Sequence, residues 1–300
     1  MLKPDFRPYV PPLGKSRAAG VSSQEHAARL KTVERIISLF GNWKMLFQEP
    51  FKGMTTDGNI MPNLYSLKPD GASVESAAKA ANTLMGFLSL EDKARACFDV
   101  TSEQWRNWQN TEIYVEEHGL RLDEIAEPTR DAIMDVIRAS LSERGYEKIS
   151  EVMRLNRVLG DLVGGPAVMN EWSYLFCLFG TPSTTSPWGW QLFGHHLAFN
   201  CLFIGGQMVL SPTFLGAEPI WADEGPFKGL HAFKDEERKG LDLMLSLSDD
   251  QQKIASWRGW GPKLVSNIIT EVKKVVQRED GKAPVKKRSD DMPLDGEDWA

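Results

Sequence analysis

The sequence has few cysteines and no segment of membrane-spanning length. Its three cysteines, Cys97, Cys177 and Cys201, form no CxxC pair, which argues against a disulfide scaffold and a cysteine-rich zinc site. No apolar run approaches the roughly 18 residues that cross a bilayer, and the N-terminal residues lack the apolar core of a signal peptide. We therefore expect a soluble, cytoplasmic protein that has no membrane partner.

The chain also has no excess of positive over negative charge. Lys and Arg number 35 against 41 Asp and Glu, so the formal net charge is −6 and the basic excess that binds phosphate backbones is missing. Nucleic acid is therefore not an expected partner. The GxGxxG and Walker loops are absent, so no nucleotide cofactor is expected. GxSxG, HExxH and HxH are absent as well, which leaves no local signature of a serine hydrolase or a zinc enzyme.

Helical patterns fill both ends of the chain. Hydrophobic residues make up 42% and charged residues 25%, a composition that folds around a sizeable core. Ser22 begins a capping-box pattern and predicts a helix that continues to Phe47, and Ser248 begins a second such pattern. Another helix is predicted over 129–144 and ends at Gly145. Further helices are predicted over 72–88, after Ser89, from about Thr101, over 147–159 and over 264–276.

The middle of the chain has the pattern of a β-sheet. An apolar run over 172–179 has the length of a strand, and the aromatic-rich segment 188–204 predicts a longer one. Gly205 and Gly206 then predict a tight hairpin. We therefore predict an α+β fold in which helices from the N- and C-terminal parts pack around a central antiparallel, aromatic-rich β-meander.

Composition also predicts the domain organisation. Residues 1–21 are expected to form a flexible segment, and residues 281–300 a disordered acidic tail. A single α+β domain is predicted over 22–280. Within it we expect helices over 22–163, the sheet over 170–215 and helices over 235–278.

The segment "PWGWQLFGHHLAFN" at 187–200 has the richest chemistry. On one long strand, side chains would alternate between faces. One face would then carry Trp188, Trp190, His196 and Asn200. We expect His196 to act as general acid or base, since an imidazole exchanges protons near neutral pH. The two tryptophans would stack on an apolar substrate, and Asn200 would bond a carbonyl.

His195 would point to the opposite face, where it either orients the site or binds a metal. Both histidines could bind one ion only if the strand is kinked at Gly194. His231 is the predicted third ligand, with acidic residues as alternatives: Glu171, Glu218, Asp223 and Glu224. A divalent metal is therefore left open, and no other cofactor is assigned.

A second polar segment is "GMTTDGN". Thr55, Thr56 and Asp57 lie in a glycine-bounded turn. Threonine hydroxyls that stabilise an Asp-Gly turn explain this pattern, and a polar wall of the substrate pocket is the alternative.

The assembled segments resemble the domain-of-unknown-function family numbered 3500. The residues that carry the resemblance are "PFKGMTTDGNIMPNLYSL" at 50–67, "SLSERGYEKI" at 140–149, "YLFCLFGTPSTTSPWGWQLFGHHLAFN" at 174–200, "PTFLGAEP" at 212–219 and "EERKGLDLMLSLSDDQ" at 236–251. The resemblance implies relatives in bacteria and fungi, some of them encoded in secondary-metabolite gene clusters. It implies no established reaction.

The leading hypothesis is an enzyme that acts on a small organic molecule, in the setting of secondary-metabolite biosynthesis. A hydrolase, lyase or isomerase fits better than a nucleotide-dependent enzyme. Two alternatives stay open: a non-catalytic protein that binds a small molecule, and an interaction protein that uses its aromatic sheet. A homo-oligomer is also left open.

Overall fold

A computed structural model of the chain describes residues 5–53, 57–63, 66–113 and 118–255. The described backbone divides into two compact units, the larger within 11–232 and the smaller comprising 5–10 and 233–255. The predicted α+β class is confirmed. The helix predicted over 264–276 and the predicted acidic tail lie outside the described residues.

Helices occur in both units. In the larger unit they are α1 (Ser23–Leu30), α2 (Glu34–Gln48), α3 (Val74–Phe87), α4 (Leu90–Ala96), α5 (Glu127–Ser140) and α6 (Glu143–Val163); in the smaller unit they are α7 (Lys234–Ser246) and α8 (Asp249–Ala255). None of these helices has the length and apolar character needed to cross a bilayer.

The capping residues set where helices begin. The Ser22 hydroxyl accepts a hydrogen bond from the Glu25 amide, and Ser248 exchanges reciprocal hydrogen bonds with Gln251, so both predicted starts are confirmed. The first helix does not continue to Phe47 as predicted. It ends at Leu30, and α2 is a separate helix.

Two other helix predictions were wrong. Gly145 does not end a helix, because Ser142 caps a new one and its hydroxyl accepts from the Gly145 amide in the first turn of α6. Glycine is tolerated at this position because the amides of a first helical turn have no intrahelical acceptor, and the Ser142 hydroxyl supplies one for Gly145. The helix predicted from Thr101 is only a short 3₁₀ turn, Glu103–Arg106.

The strands form one mixed sheet. They are β1 (Cys97–Phe98), β2 (Leu120–Arg121), β3 (Tyr174–Gly180), β4 (Trp188–Gly194), β5 (Leu197–Ile204) and β6 (Gln207–Leu215). The order is β1-β3-β4-β5-β6, with β2 also paired to β3. Strands β3 to β6 are the predicted antiparallel meander, while β1 runs parallel to β3. The predicted hairpin at Gly205-Gly206 is confirmed by the pairing of Ile204 with Gln207.

The segment 188–204 is not one strand. Gly194 pairs with Leu197, so the chain reverses over two residues and β4 and β5 lie side by side. Those two residues are His195 and His196. The prediction that the histidines point to opposite faces of a strand was therefore wrong, because neither histidine belongs to a strand.

The W-G-W sequence of β4 belongs to the core. Trp188 and Trp190 are fully buried, and the Trp190 indole nitrogen donates to the Ser140 hydroxyl of α5 at 2.9 Å. Between them, a Cβ at position 189 would lie 2.1 Å from the Cys201 carbonyl oxygen and 2.8 Å from the Trp105 ring. Only glycine fits this close approach of two strands.

We expect Gly189→Ala to destabilise the larger unit by about 3 kcal/mol or more, because strand β5 would have to move to admit the methyl group. Urea unfolding measures the change. Gly86→Ala is the matched control, since a Cβ at Gly86 meets nothing within 4 Å. In an open helical position this substitution stabilises by up to about 1 kcal/mol. Equal unfolding free energies for the two variants would contradict the close approach at Gly189.

Candidate functional site

The two histidines form the turn between β4 and β5. His196 has φ +56°, a left-handed conformation that is uncommon outside glycine and often marks a functional position. Its amide donates to the Asn110 carbonyl at 3.0 Å, and its carbonyl accepts from the Gly216 amide at 2.7 Å. The turn brings the two imidazoles together, with ring centroids 4.1 Å apart.

Glu218 reaches this turn because of the register of the next hairpin. Leu197 pairs with Leu215 at the end of β6, so the residues that follow β6 run past the histidine turn. The Glu218 carboxylate accepts a hydrogen bond from His196 Nε2 at 3.1 Å. This bond lowers the pKa of Glu218, although partial burial opposes the shift. The carboxylate is therefore held ionised beside the imidazole.

Asn156 of α6 fixes the tautomer of His195. Its amide nitrogen donates to the Asn170 carbonyl at 2.9 Å and to the Ser173 hydroxyl at 3.0 Å. The Asn156 side-chain oxygen therefore faces His195, 2.8 Å from Nδ1. Because this oxygen can only accept, Nδ1 carries the proton and Nε2 keeps its lone pair. The Tyr174 hydroxyl also donates to the His195 carbonyl at 3.2 Å.

His195 is electrically neutral near pH 7. Burial, together with the neighbouring His196, lowers its pKa from 6.5 to about 4, while Glu112 and Glu218 oppose the shift. A neutral imidazole with a free Nε2 can bind a metal ion or accept a proton.

The histidine turn separates two hollows. One is small and lies beside His195, His196 and Glu218; its other lining residues are Val152, Asn156, Gly216 and Ala217. The second hollow reaches the other side of His195 and is lined in part by Glu112 and Arg121. The tryptophans line neither hollow, so the indole walls predicted from the sequence are not part of this site.

Three donor atoms meet in the first hollow. One ligand atom each from His195, His196 and Glu218 lie within 4.8 Å of one another, and exposure increases from His195 to Glu218. Within the described residues, no other group of three His, Cys, Asp or Glu side chains is this compact. We refer to His195, His196 and Glu218 as the turn cluster.

The sequence model of the family described as "Protein of unknown function (DUF3500)" matches residues 70–282, more than half of the chain. The chain belongs to the DUF3500 family. The matched range contains the whole turn cluster together with Asn156 and Glu112. No curated protein matches the chain. No solved structure matches it either.

Three predicted substrate-binding residues of this DUF3500 protein lie in the core. Trp188 and Trp190 are 0% exposed, so their predicted stacking on a substrate has no support among the described contacts. Asn200 is also buried; its amide oxygen accepts from Gln191 at 2.6 Å and its amide nitrogen donates to the Pro212 carbonyl at 2.8 Å. All three side chains are used by the fold.

The remaining predicted residues lie apart from the turn cluster or outside the described residues. His231 forms a β-bridge with Trp221 and is not among the three clustered donors. Asp57 is exposed and accepts hydrogen bonds from Asn59. Thr55 and Thr56 are not among the described residues.

Asn156 and Glu112 were missed by the sequence reasoning. Asn156 had a usable signal, because it lies four residues from Val152 and from Gly160, both on the buried face of α6. A polar side chain in an apolar helical stripe needs a partner. Glu112 had no such signal, since it lies in an irregular segment outside the helices and strands.

The depressed pKa of His195 predicts a specific loss of stability in acid for the metal-free protein. Between pH 6.5 and about 4 the unfolded chain binds a proton that the folded chain does not, so the free energy of unfolding falls as the pH falls. We expect the wild type to lose about 1–3 kcal/mol more than His195→Gln between pH 7 and pH 4. Urea unfolding at each pH measures this difference. Parallel curves for the two proteins would contradict the shift.

Proposed function

We propose that this DUF3500 protein is an enzyme that acts on a small organic molecule at a divalent metal ion bound by the turn cluster. The observation that carries the proposal is the convergence of two imidazoles and one carboxylate within 4.8 Å. Two histidines and a glutamate are a donor set that binds zinc and iron(II) in catalytic sites and leaves further coordination positions open. The reaction class and the cytoplasmic location stay predictions from the sequence.

The donor chemistry fits such an ion. His195 is neutral and its Nε2 is unprotonated, which is the state that coordinates a metal. Donors bound to one tetrahedral ion lie about 3.4 Å apart, so a small movement of the more exposed His196 and Glu218 side chains closes the site. One negative charge on Glu218 offsets part of the charge of a divalent ion.

The protein's own groups have distinct roles in this proposal. Asn156 holds the His195 ring through Nδ1, as hydrogen-bond acceptors behind metal-binding histidines commonly do. The left-handed backbone of His196 turns the second ring toward the first. A bound divalent ion would supply Lewis acidity toward a substrate oxygen or water.

Metal-free proton transfer is a second candidate function. The 3.1 Å contact between His196 Nε2 and the Glu218 carboxylate favours it, because a carboxylate that orients an imidazole is a common arrangement in acid–base catalysis. In this case His196 would exchange the proton and Glu218 would hold the ring. Metal content distinguishes the two candidates.

We expect the chelator-treated protein to bind one equivalent of Zn²⁺, Mn²⁺ or Fe²⁺ in an anaerobic calorimetric titration. His195→Ala, His196→Ala and Glu218→Gln should each weaken the affinity at least about tenfold, since each removes a ligand. His231→Ala is the control, because His231 lies outside the turn cluster. Absence of stoichiometric metal binding by the wild type, or an equal loss in His231→Ala, would overturn the proposed metal centre.

A pair of Asn156 variants tests the hydrogen bond between the Asn156 side-chain oxygen and His195 Nδ1. Asn156→Asp and Asn156→Leu both lose the hydrogen bonds to Asn170 and Ser173, but only aspartate keeps an acceptor for His195 Nδ1–H. We expect Asn156→Leu to lower metal affinity about 10–100-fold, while Asn156→Asp stays within a few-fold of the wild type. The same titration measures both, and equal affinities would remove Asn156 from the site.

A further inference from the structure

Helix α1 contacts the segment that supports the histidine turn. This segment, residues 109–113, belongs to no helix or strand. Its Asn110 carbonyl accepts the hydrogen bond from the His196 amide at 3.0 Å. Two residues later, the Glu112 carboxylate lies 3.6 Å from Nε2 of His26, a residue of α1. One short segment therefore contacts both α1 and the histidine turn, and we call it the bridging segment.

The bridging segment has no strand ladder to fix its path, so its side chains must fix it. Ile113 packs with Ala27 and Leu30 of α1 in one buried cluster. The Gln109 amide donates to the Ile113 carbonyl within the segment itself. Between these two residues, the contact of Glu112 with His26 is the polar link to α1.

His26 and Glu112 form a pair that resists separation. His26 is only 2% exposed, and its Nδ1 lies 3.4 Å from the Arg17 carbonyl, which leaves Nε2 directed at the carboxylate. Burial alone would raise the pKa of Glu112, but the contact with His26, aided by the nearby His195, lowers it to about 2. An ionised carboxylate in a mostly buried place needs such a partner, because water no longer solvates it fully.

Helix α1 is itself fixed to the sheet that carries the histidine turn. The Ser23 hydroxyl of α1 accepts a hydrogen bond from the Arg121 guanidinium, which also contacts the Asp123 carboxylate at 2.9 Å. Arg121 belongs to β2 and pairs with Leu175 of β3. His26 therefore holds the bridging segment from a helix that the sheet keeps in place.

The bonds to Asn110 and Gly216 orient the two peptide groups that flank His196. We propose that His26 is a positioning residue of the turn cluster: through Glu112 it holds the Asn110 carbonyl that keeps His196 in its left-handed conformation. The family model matches from residue 70 onward, so the proposal extends the site to a helix that precedes the matched range. It rests on the proposed function only where it concerns metal affinity.

Amide hydrogen exchange of the metal-free full chain, followed by NMR, tests the positioning directly. We expect His26→Leu to speed exchange of the His196 amide at least about tenfold, since its acceptor is no longer held, while the amides of β4 keep their rates. His26→Gln can still present an N–H to Glu112 and should stay within a few-fold of the wild type. Arg29→Ala, on the exposed side of α1, is the matched control and should match the wild type.

Three exchange results would overturn the inference: an unchanged His196 rate in His26→Leu, an equal increase in the amides of β4, or a loss in His26→Gln as large as in His26→Leu. If His26→Leu does not fold, Glu112→Ala breaks the same contact from its more exposed side. It is then expected to give the same selective increase at His196, and an unchanged rate would count against the inference in the same way.

The calorimetric titration measures the consequence for the turn cluster. His26→Leu should weaken metal affinity about tenfold, as removal of a group behind a ligand commonly does, and His26→Gln should restore it. Unchanged affinity in His26→Leu would overturn the role of His26 toward the metal. A wild type that takes up no metal, combined with selective exchange at His196, would overturn the proposed metal centre and leave the positioning by His26 standing.

Discussion

The reversal of the chain between Gly194 and Leu197 determines where every other part of the site must lie. The β4–β5 ladder continues to its last residue pair, so only two residues make the turn and both of them are histidines. Helix α6 and the end of β6 then approach the same two residues, and each contributes one polar side chain, Asn156 and Glu218. The turn cluster is thus a consequence of strand register combined with one left-handed residue.

Polar groups in the sheet and around the turn cluster are engaged to different extents. Trp190 and Asn200 are bonded to other protein groups, and these bonds hold the sheet against its surroundings. Around His195, bonding capacity is left on the unprotonated Nε2 of His195 and on the Glu218 carboxylate, which accepts a bond from His196. Unused bonding capacity beside a hollow is what a ligand site requires.

The sequence pointed to the segment that contains the turn cluster, but for the wrong reason. Adjacent histidines in an aromatic segment were sufficient to select positions 195 and 196, and local patterns predicted most helix starts and the meander. A strand over 188–204 would exceed the usual length of roughly 3–10 residues, and that excess was a usable sign of a turn. Histidine is not a common turn residue, which is why composition alone did not reveal it. Glu218 was only one of several acidic alternatives, because its place depends on pairing between β5 and β6.

The short distance between the two imidazoles also limits their charge states. Two positive rings with centroids 4.1 Å apart would repel by about 4 kcal/mol at an effective dielectric constant of about 20. Glu218 contacts His196, so a positive charge is better placed there, and burial keeps His195 neutral. A single cation shared by both rings and the carboxylate removes this conflict, since each ring then presents a lone pair to the same positive charge. A proton can bridge only His196 and Glu218, whereas a divalent ion would contact the donor atoms of all three groups at once.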